Sequence, residues 1–337
     1  MVRVWFNHWF STAYHLINLL KEGDAGKFTV IGTSKNALAI YLRACDERYL
    51  EKEGPENEAY VDFCLDFCRE HAIDVFVPRR GLNTIARYRD RFAAQGVKVL
   101  CGDNADTMEL LDEKAKTYAF FRENGIGCIP PYRVAHSFEE FLQAGEELAP
   151  VSKRICYKLT RDEGAMTFRV IDDNLEAKAA LFKLPGQKVS RQVAESILRQ
   201  YDYHIPLLVM PFLDGQEVSA DCLRTAHGDI VIPRYKTNQR YSVVRFNEEI
   251  VAHCKEIMQL LDIRVPMNIQ FKLQDGKPWL LEINPRMSGG LQLSCLAAGV
   301  NIPNIAVNQL LGVDKEWQLT ERREQRVANI ETPIILD

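Results

Sequence analysis

The chain has 337 residues, 47% of them hydrophobic and 26% charged, with 19 Gly and 14 Pro, so it can bury a sizeable core and is neither disordered nor fibrous. Lys and Arg total 42 against 46 Asp and Glu, a net charge of −4, which leaves no global positive field for nucleic acid or an anionic membrane. No stretch approaches the ~18 consecutive apolar residues of a membrane span, and the opening MVRVWFNHWFSTAYHLINLL reads as a strand and a helix rather than a signal peptide. A soluble, cytosolic protein is expected.

The apolar runs VRVWF (2–6), FTVIG (28–32), DVFVP (74–78) and VKVLCG (97–102) alternate with helical stretches near 11–21, 58–71 and 83–95. This is a βαβ rhythm. Parallel strands bind ligands at their carboxyl ends, so the segments after Phe6, Gly32 and Pro78 should form one rim of a crevice. The turn NHWFST after the first strand lacks the G-x-G-x-x-G fingerprint, which argues against a dinucleotide binder. His8 and His15 can reach that rim, but a lone His is more often structural, and neither is assigned a role.

From about residue 109 the rhythm changes. LLDEKAKTYAFFRENG predicts one helix ending at an αL cap on Gly125, and the IPP that follows forbids its continuation. A strand ICYKL (155–159), a turn TRDEGAM, a strand TFRVID (167–172) and helical KVSRQVAESILRQY predict a small α+β lid. After Ile205 come LLVMPFL, QEVSADCL and DIVIPRYK, a helix around 247–261, and the pair VPMNIQFKL and PWLLEINP joined by QDGK. These predict an antiparallel sheet. Nine cysteines, an odd number without a CxxC pair, indicate neither a disulfide framework nor a structural zinc site, and read mostly as buried thiols.

In LLEINPR, strand alternation points Glu282 and Asn284 the same way, about 7 Å apart. A carboxylate and an amide oxygen suit Mg²⁺, which is normally held by one or two protein groups while phosphates and waters complete its shell. The partner strand offers Asn268 and Gln270. A two-residue Asp275-Gly276 loop turns Gln270 away from Glu282, whereas a three-residue loop, Gln274–Gly276, puts them on one face, and the metal reading requires the latter. Taken alone, a pair such as Glu282 and Asn284 is more often just polar residues at a sheet end.

Five segments together resemble the ATP-grasp superfamily: DEKAKTYAFFRENGI, ICYKL, VMPFLDGQEVSAD, NIQFKLQDGKPWLLEINPRMSGG and LAAGVNIPNIA, spread over residues ~109–311 in that family's order. The resemblance implies mixed α/β and α+β architecture, a Rossmann-like preATP-grasp domain (1–108) followed by a two-lobed ATP-grasp fold. The N-lobe would span 109–205, with its lid at about 151–205, and the C-lobe 206–337. ATP-grasp proteins found with tellurite-resistance genes are one closer group.

The resemblance also implies site residues. Lys114 and Lys158 would meet nucleotide phosphates, for which an ammonium is a suitable point charge. Lys158 lies inside the apolar run ICYKL, where an unpaired charge is costly, so its burial calls for an anion. The adenine would lie against Val209, Met210, Phe212 and Leu213, with its edge read by backbone groups around Met210 and Phe212. Relatives often have Glu where Met210 stands. Glu217 matches the acceptor of the ribose hydroxyls, and reads equally as a surface strand carboxylate.

Arg286 would hold a γ-phosphate or acylphosphate through its fork. Ser288-Gly289-Gly290 would open a helix whose N-terminus suits an anion, or be a plain helix entry. Arg234 and Lys236 share a strand face, either toward the ligand or as a solvated edge. The lid turn TRDEGAMT has Gly164 as its sole glycine, where relatives have a longer glycine-rich loop.

The implied activity is an ATP-dependent ligase with ATP and Mg²⁺ (or Mn²⁺) as cofactors, metal ligands Gln270, Glu282 and Asn284, and Lys158 and Arg286 as catalytic residues. Its partners would be a small carboxylate and a nucleophile, with no nucleic acid or membrane, and a homodimer is compatible. An ATP-binding module without turnover is the alternative, favoured by the short lid turn and the missing hinge Glu.

Overall fold

The βαβ rhythm of the first hundred residues folds into one five-stranded sheet in the computed structural model, which describes every residue except 52–56, 163–164, 176–185, 238, 321–323 and 337. Its strands are β1 (Val2–Asn7), β2 (Phe28–Ser34), β3 (Glu47–Leu50), β4 (Val75–Val77) and β5 (Lys98–Val99), ordered β3-β2-β1-β4-β5, with every pairing parallel. The helices of this segment are α1 (Ala13–Gly23), α2 (Asn57–Glu70), α3 (Leu82–Arg87) and α4 (Arg89–Ala93). Trp5, Ile31 and Phe76 from three strands share a core with Tyr60, Cys64 and Phe67 of α2 and Phe92 of α4. Trp5 stacks on Phe76 with ring centroids 4.0 Å apart, which adds to the area both bury.

Two predicted helices are each divided. The stretch 83–95 breaks at Tyr88, whose φ of −105° and ψ of 20° leave the helical region. The stretch from Leu110 to Gly125 is α5 (Ala105–Asp112) and α6 (Lys114–Glu123), because Glu113 is extended (φ −109°, ψ 105°) and the Lys114 N–H donates to the Thr160 carbonyl at 3.0 Å. Gly125 has φ 78°, the left-handed conformation its position calls for. Strand β3 has no counterpart in the sequence reading, since ERYL is a short edge strand with a charge at each of its first two positions.

A second five-stranded sheet contains β6 (Arg133–Ala135), β7 (Ile155–Leu159), β8 (Arg169–Ile171), β9 (Lys188–Val189) and β10 (Leu207–Pro211), ordered β6-β10-β7-β8-β9. All its pairings are antiparallel except the parallel β8 with β9. Helices α7 (Phe138–Leu148) and α8 (Arg191–Leu198) start at serines whose hydroxyls accept from the first turn, Ser137 from Glu140 N–H and Ser190 from Val193 N–H. Phe141, Leu148 and Leu198 of these helices bury against Tyr157 and Val209. The helical stretch predicted from Lys188 therefore begins only at Arg191.

The third sheet has six strands: β11 (Glu217–Thr225), β12 (Gly228–Lys236), β13 (Ser242–Val244), β14 (Met267–Gln274), β15 (Lys277–Asn284) and β16 (Gln325–Val327), ordered β15-β14-β11-β12-β13-β16. Three helices accompany it: α9 (Glu248–Leu261), capped by Asn247, α10 (Leu291–Ala298) and α11 (Ile302–Leu310). The β14–β15 loop has two residues, Asp275 (φ 53°) and Gly276 (φ 80°), both left-handed as a type I′ turn requires. This corrects the three-residue loop on which the metal reading was made to depend.

The chain divides into two compact units. One comprises Met1–Glu109, Gln216–Phe271 and Leu281–Asp337; the other comprises Leu110–Gly215 and Lys272–Leu280. The first and last thirds of the sequence thus belong to one unit, unlike the three-part division expected from the sequence. Part of their union is a buried polar seam, where Asn304 and Asn308 of α11 donate to Asp24 at 3.0 and 2.8 Å and Lys315 reaches it at 2.7 Å. Burial pushes the Asp24 carboxyl up, but the bonds from Lys315, Asn308 and Asn304 outweigh it and bring it to about 2. All nine cysteines are free and buried. Among the described residues no helix is long and apolar enough to cross a membrane.

Candidate active site

In the six-stranded sheet, alternation along β11 gives Glu217, Ser219 and Asp221 one face, and Arg234 of β12 pairs with Ser219 in register. Asp221 is 1% exposed. Its carboxylate accepts from the Ser288 and Ser294 hydroxyls at 2.6 Å each and from Asn268 Nδ2 at 2.8 Å, and Arg234 Nη2 stands 3.7 Å away. A buried charge is tolerable only when satisfied in this way. Arg234 Nε also donates to Ser294 at 3.3 Å, and a Cβ on Gly290 would fall 2.3 Å from Arg234 Nη2. The Ser288-Gly289-Gly290 loop is thereby clamped onto a charged core, which leads into α10 with Gly290 at its N-cap.

Two of the candidate ligand-binding residues have partners inside the chain. Arg234, with a side chain only 6% exposed, is spent on Asp221 and Ser294 rather than offered to a ligand. Lys236 is bound to Glu217, so the proposed ribose acceptor already has a cation on it.

At the end of β15, Asn284 Nδ2 donates to Glu282 Oε1 at 3.0 Å, and Arg286 Nη2 donates to Asn284 Oδ1 at 3.3 Å. All three are half-buried. The structure thus brings Glu282, Asn284 and Arg286 into one series that runs into the glycine loop. Arg286 and Met287 also line a small cleft with Trp9, Val77, Pro78 and Pro266. On β14, Gln270 Nε2 donates to Asn268 Oδ1 at 2.9 Å, linking Gln270 to the Asp221 network. Among the described residues no cluster of three or more His, Cys, Asp or Glu side chains is arranged to hold a metal.

The other compact unit holds the lysines. Lys114 Nζ reaches Asp162 at 2.8 Å from its Oδ1 and 3.0 Å from its carbonyl, and both side chains are under 10% exposed. Asp162 also accepts from the Thr167 hydroxyl at 2.7 Å. Burial pushes its carboxyl up, but the Lys114 and Thr167 bonds and the nearby charges of Lys114 and Lys158 hold it below the usual range. Lys158 is 9% exposed on β7, opposite Leu208. The charge of Lys158 is felt by Asp162, so a carboxylate inside the chain shares its surroundings. Gly164 of the lid turn lies outside the described residues.

Strand β10 pairs Val209 with Tyr157 and Met210 with Cys156, and both are buried. Phe212 and Leu213 are half-buried, and the guanidinium of Arg154 lies 4.8 Å from the Phe212 ring centroid. The Phe212 N–H donates to the Arg154 carbonyl at 2.9 Å, so it is not the group that reads a base edge. Asp162 and Asp221 escaped the sequence reading. The signal for Asp221 was its place in the alternation of EVSAD with Glu217; Asp162 had none beyond a turn-like TRDEG.

Parallel and antiparallel sheets in one chain define a mixed α/β protein, in which a carboxylate, amide and guanidinium series enters a glycine loop. A family model described as ATP-grasp in the biosynthetic pathway with Ter operon matches residues 204–333. The arginine-specific large chain of carbamoyl phosphate synthase from Geobacillus stearothermophilus is 24% identical over 320 residues, covering 90% of this chain; the chain spans 28% of that protein's length. In fold it is similar to the biotin carboxylase domain of Hydrogenobacter thermophilus 2-oxoglutarate carboxylase, solved with MgADP, ADP and bicarbonate. That likeness has a TM-score of 0.72 at 13% identity and covers 96% of this chain and 73% of that one. Campylobacter jejuni biotin carboxylase, solved as a β-γ-ATP complex, gives a TM-score of 0.73 at 11% identity over 97% of this chain and 75% of that one. Over residues 204–333 the chain matches the ATP-grasp model, and its fold is that of the biotin carboxylase neighbours.

Proposed function

We propose that the chain is an ATP-dependent ligase that activates a small carboxylate as an acylphosphate for attack by an amine or another nucleophile. A carboxylate oxygen forms a bond to the γ-phosphorus as the bond to ADP breaks. The nucleophile then bonds to the acyl carbon, phosphate leaves, and the proton lost by the nucleophile passes to solvent. Such phosphoryl transfer needs positioning and charge more than covalent work by the protein. The observation that carries this reading is the Glu282–Asn284–Arg286 series at the mouth of the glycine loop. The relatives crystallised with MgADP and ATP support nucleotide as substrate.

Glu282 and Asn284 would hold Mg²⁺, and Mn²⁺ equally, through a carboxylate and an amide oxygen, the hard-oxygen set these ions take. The bound cation would neutralise phosphate charge. Gln270 joins them only if the strand parity set by the two-residue loop is reversed. Arg286 would fork onto the transferred phosphoryl group, with Lys158 and Lys114 on the phosphates. Val209, Met210, Phe212 and Leu213 would flank the base, and Glu217 the ribose. Arg234 contributes from behind, by fixing the glycine loop.

Within this reading residues 1–108 are the Rossmann-like preATP-grasp domain, 109–205 the N-lobe with its lid at about 151–205, and 206–337 the C-lobe. The enzyme would work in the cytoplasm, as a homodimer like the Hydrogenobacter domain. The test is ADP release from ATP by the full chain with pooled amino acids and organic acids. Release that requires both Mg²⁺ and an acid is the expected result; tight ATP binding without turnover in every pool contradicts the reading.

A further inference from the structure

The six-stranded sheet fixes the direction of one amide that the phosphoryl chemistry leaves open. Asp221 of β11 is a buried carboxylate, which can only accept. Asn268 of β14, 1% exposed, meets it with Nδ2 at 2.8 Å, and the same nitrogen lies 3.3 Å from the Ala220 carbonyl. Turning the Asn268 amide over would set its oxygen against two acceptors in a buried site, a costly arrangement. Its Oδ1 is therefore left for Gln270, whose Nε2 donates to it at 2.9 Å. The Ser219 hydroxyl lies 2.9 Å from Asn268 Nδ2 and 3.2 Å from Oδ1, and since a hydroxyl both donates and accepts, it imposes no direction.

Gln270 inherits that direction. With Nε2 committed to Asn268, it has Oε1 to offer, and this oxygen accepts from no group among the described residues. Asn284 differs, since its Nδ2 serves Glu282 and its Oδ1 already accepts from Arg286 at 3.3 Å. Gln270 is also half-buried, and its bonds run through Asn268 and Asp221 to the Ser288 hydroxyl, so it shares the sheet face on which the glycine loop sits. An amide that offers only its oxygen suits a hard cation and turns away a phosphate.

We propose that Asp221 and Asn268 are positioning residues for the divalent cation of the nucleotide: they hold the Gln270 amide so that its oxygen, and not its NH₂, meets the ion. Neither touches the ion. The cation rests on the ligase reading; the direction of the amide does not. The assignment holds with Glu282 on either face of β15, because the bonds that direct Gln270 run through β11. Groups that orient metal ligands in this way typically contribute about 10–100-fold to metal affinity.

The test is Mn²⁺ binding by the full chain in the presence of ADP, followed by electron paramagnetic resonance, which needs no turnover. Asp221→Asn keeps the side-chain volume but frees both amides to turn over, so Mn²⁺ affinity should fall at least ~10-fold. Gln270→Met, which has no oxygen to offer, should fall as far, and the two changes together should cost little more than either. Exchanging the pair, Asp221→Asn with Asn268→Asp, restores one acceptor-only member to the series and should return the affinity toward that of the native chain. A role in folding alone predicts otherwise: the melting temperature drops while the folded chain binds Mn²⁺ as before. Should Asp221→Asn fail to fold, NMR of the native chain decides. On addition of Mg²⁺ and ADP the side-chain carbonyl carbon of Gln270 should shift while its NH₂ stays hydrogen-bonded, and release of the NH₂ overturns the proposal. Native Mn²⁺ binding with unchanged binding in the variants overturns the positioning role and leaves the ligase reading standing; a native chain that binds no Mn²⁺ overturns both.

Discussion

Two buried carboxylates, Asp221 and Asp162, solve the same problem by different means. Asp221 is met by two hydroxyls and an amide at 2.6–2.8 Å, with a single guanidinium at 3.7 Å. Asp162 is met by an ammonium at 2.8 Å and lies in the field of a second one. Neutral donors on fixed strands and a helix start make a framework that has no reason to open. Lysines on an acid make a site that another anion can take over, since phosphate oxygens offer the same partners. The comparison separates a fixed polar framework from a pair of lysines proposed to bind an anion.

The largest effect should come from breaking the framework. Asp221→Ala strands Arg234 in the core and leaves Ser288 and Ser294 without their acceptor, so the loss should be about 3–5 kcal/mol, measurable by urea denaturation. A cost under about 1 kcal/mol would mean that Asp221 is not what holds the glycine loop.

The lysine pair sharpens the comparison. Lys158→Met should lower ATP affinity by about 1.5–3 kcal/mol while changing the melting temperature of the empty chain little, because Lys114 still neutralises Asp162. Lys114→Met removes the direct partner of Asp162 and should destabilise the empty chain as well. A fully retained ATP-induced shift in the Lys158 variant means that Lys158 does not hold phosphate.

Smaller still is the acid response of the Asp24 seam. Its carboxyl is lowered from an ordinary 3.8 to about 2, so its contribution is complete above pH ~4 and lost as pH falls through 2. Asp24→Asn should therefore cost stability at pH 7 and narrow the gap to the native chain below pH 2; an unchanged gap across that range would remove Asp24 from the account.

Much of this was legible in the sequence where physics acts locally. ICYKL sets strand β7 to the residue, because five consecutive buried-strand residues leave no other period. Glu282, Asn284 and Arg286 were legible as one face by alternation alone. What stayed hidden was non-local. Asp221 reads as one more polar strand position until Ser288 and Ser294 arrive from 67 and 73 residues away. Glu51 follows an edge strand too short and polar to show a period, and its ion pairs with His8 and Arg80 join it to segments that follow two other strands. The hairpin shows the limit most sharply, because QDGK allowed two loop lengths and backbone energetics chose Asp-Gly as a type I′ turn.

The central claim is that Glu282 acts on phosphate chemistry and not on folding. Glu282→Gln keeps the shape of the side chain and removes its charge, so its effect on turnover is separable from any effect on stability. Acid-dependent ADP release from MgATP should fall at least ~100-fold, the scale of a lost electrostatic stabiliser, with the melting temperature of the empty chain held. Near-native release by that variant would contradict the account.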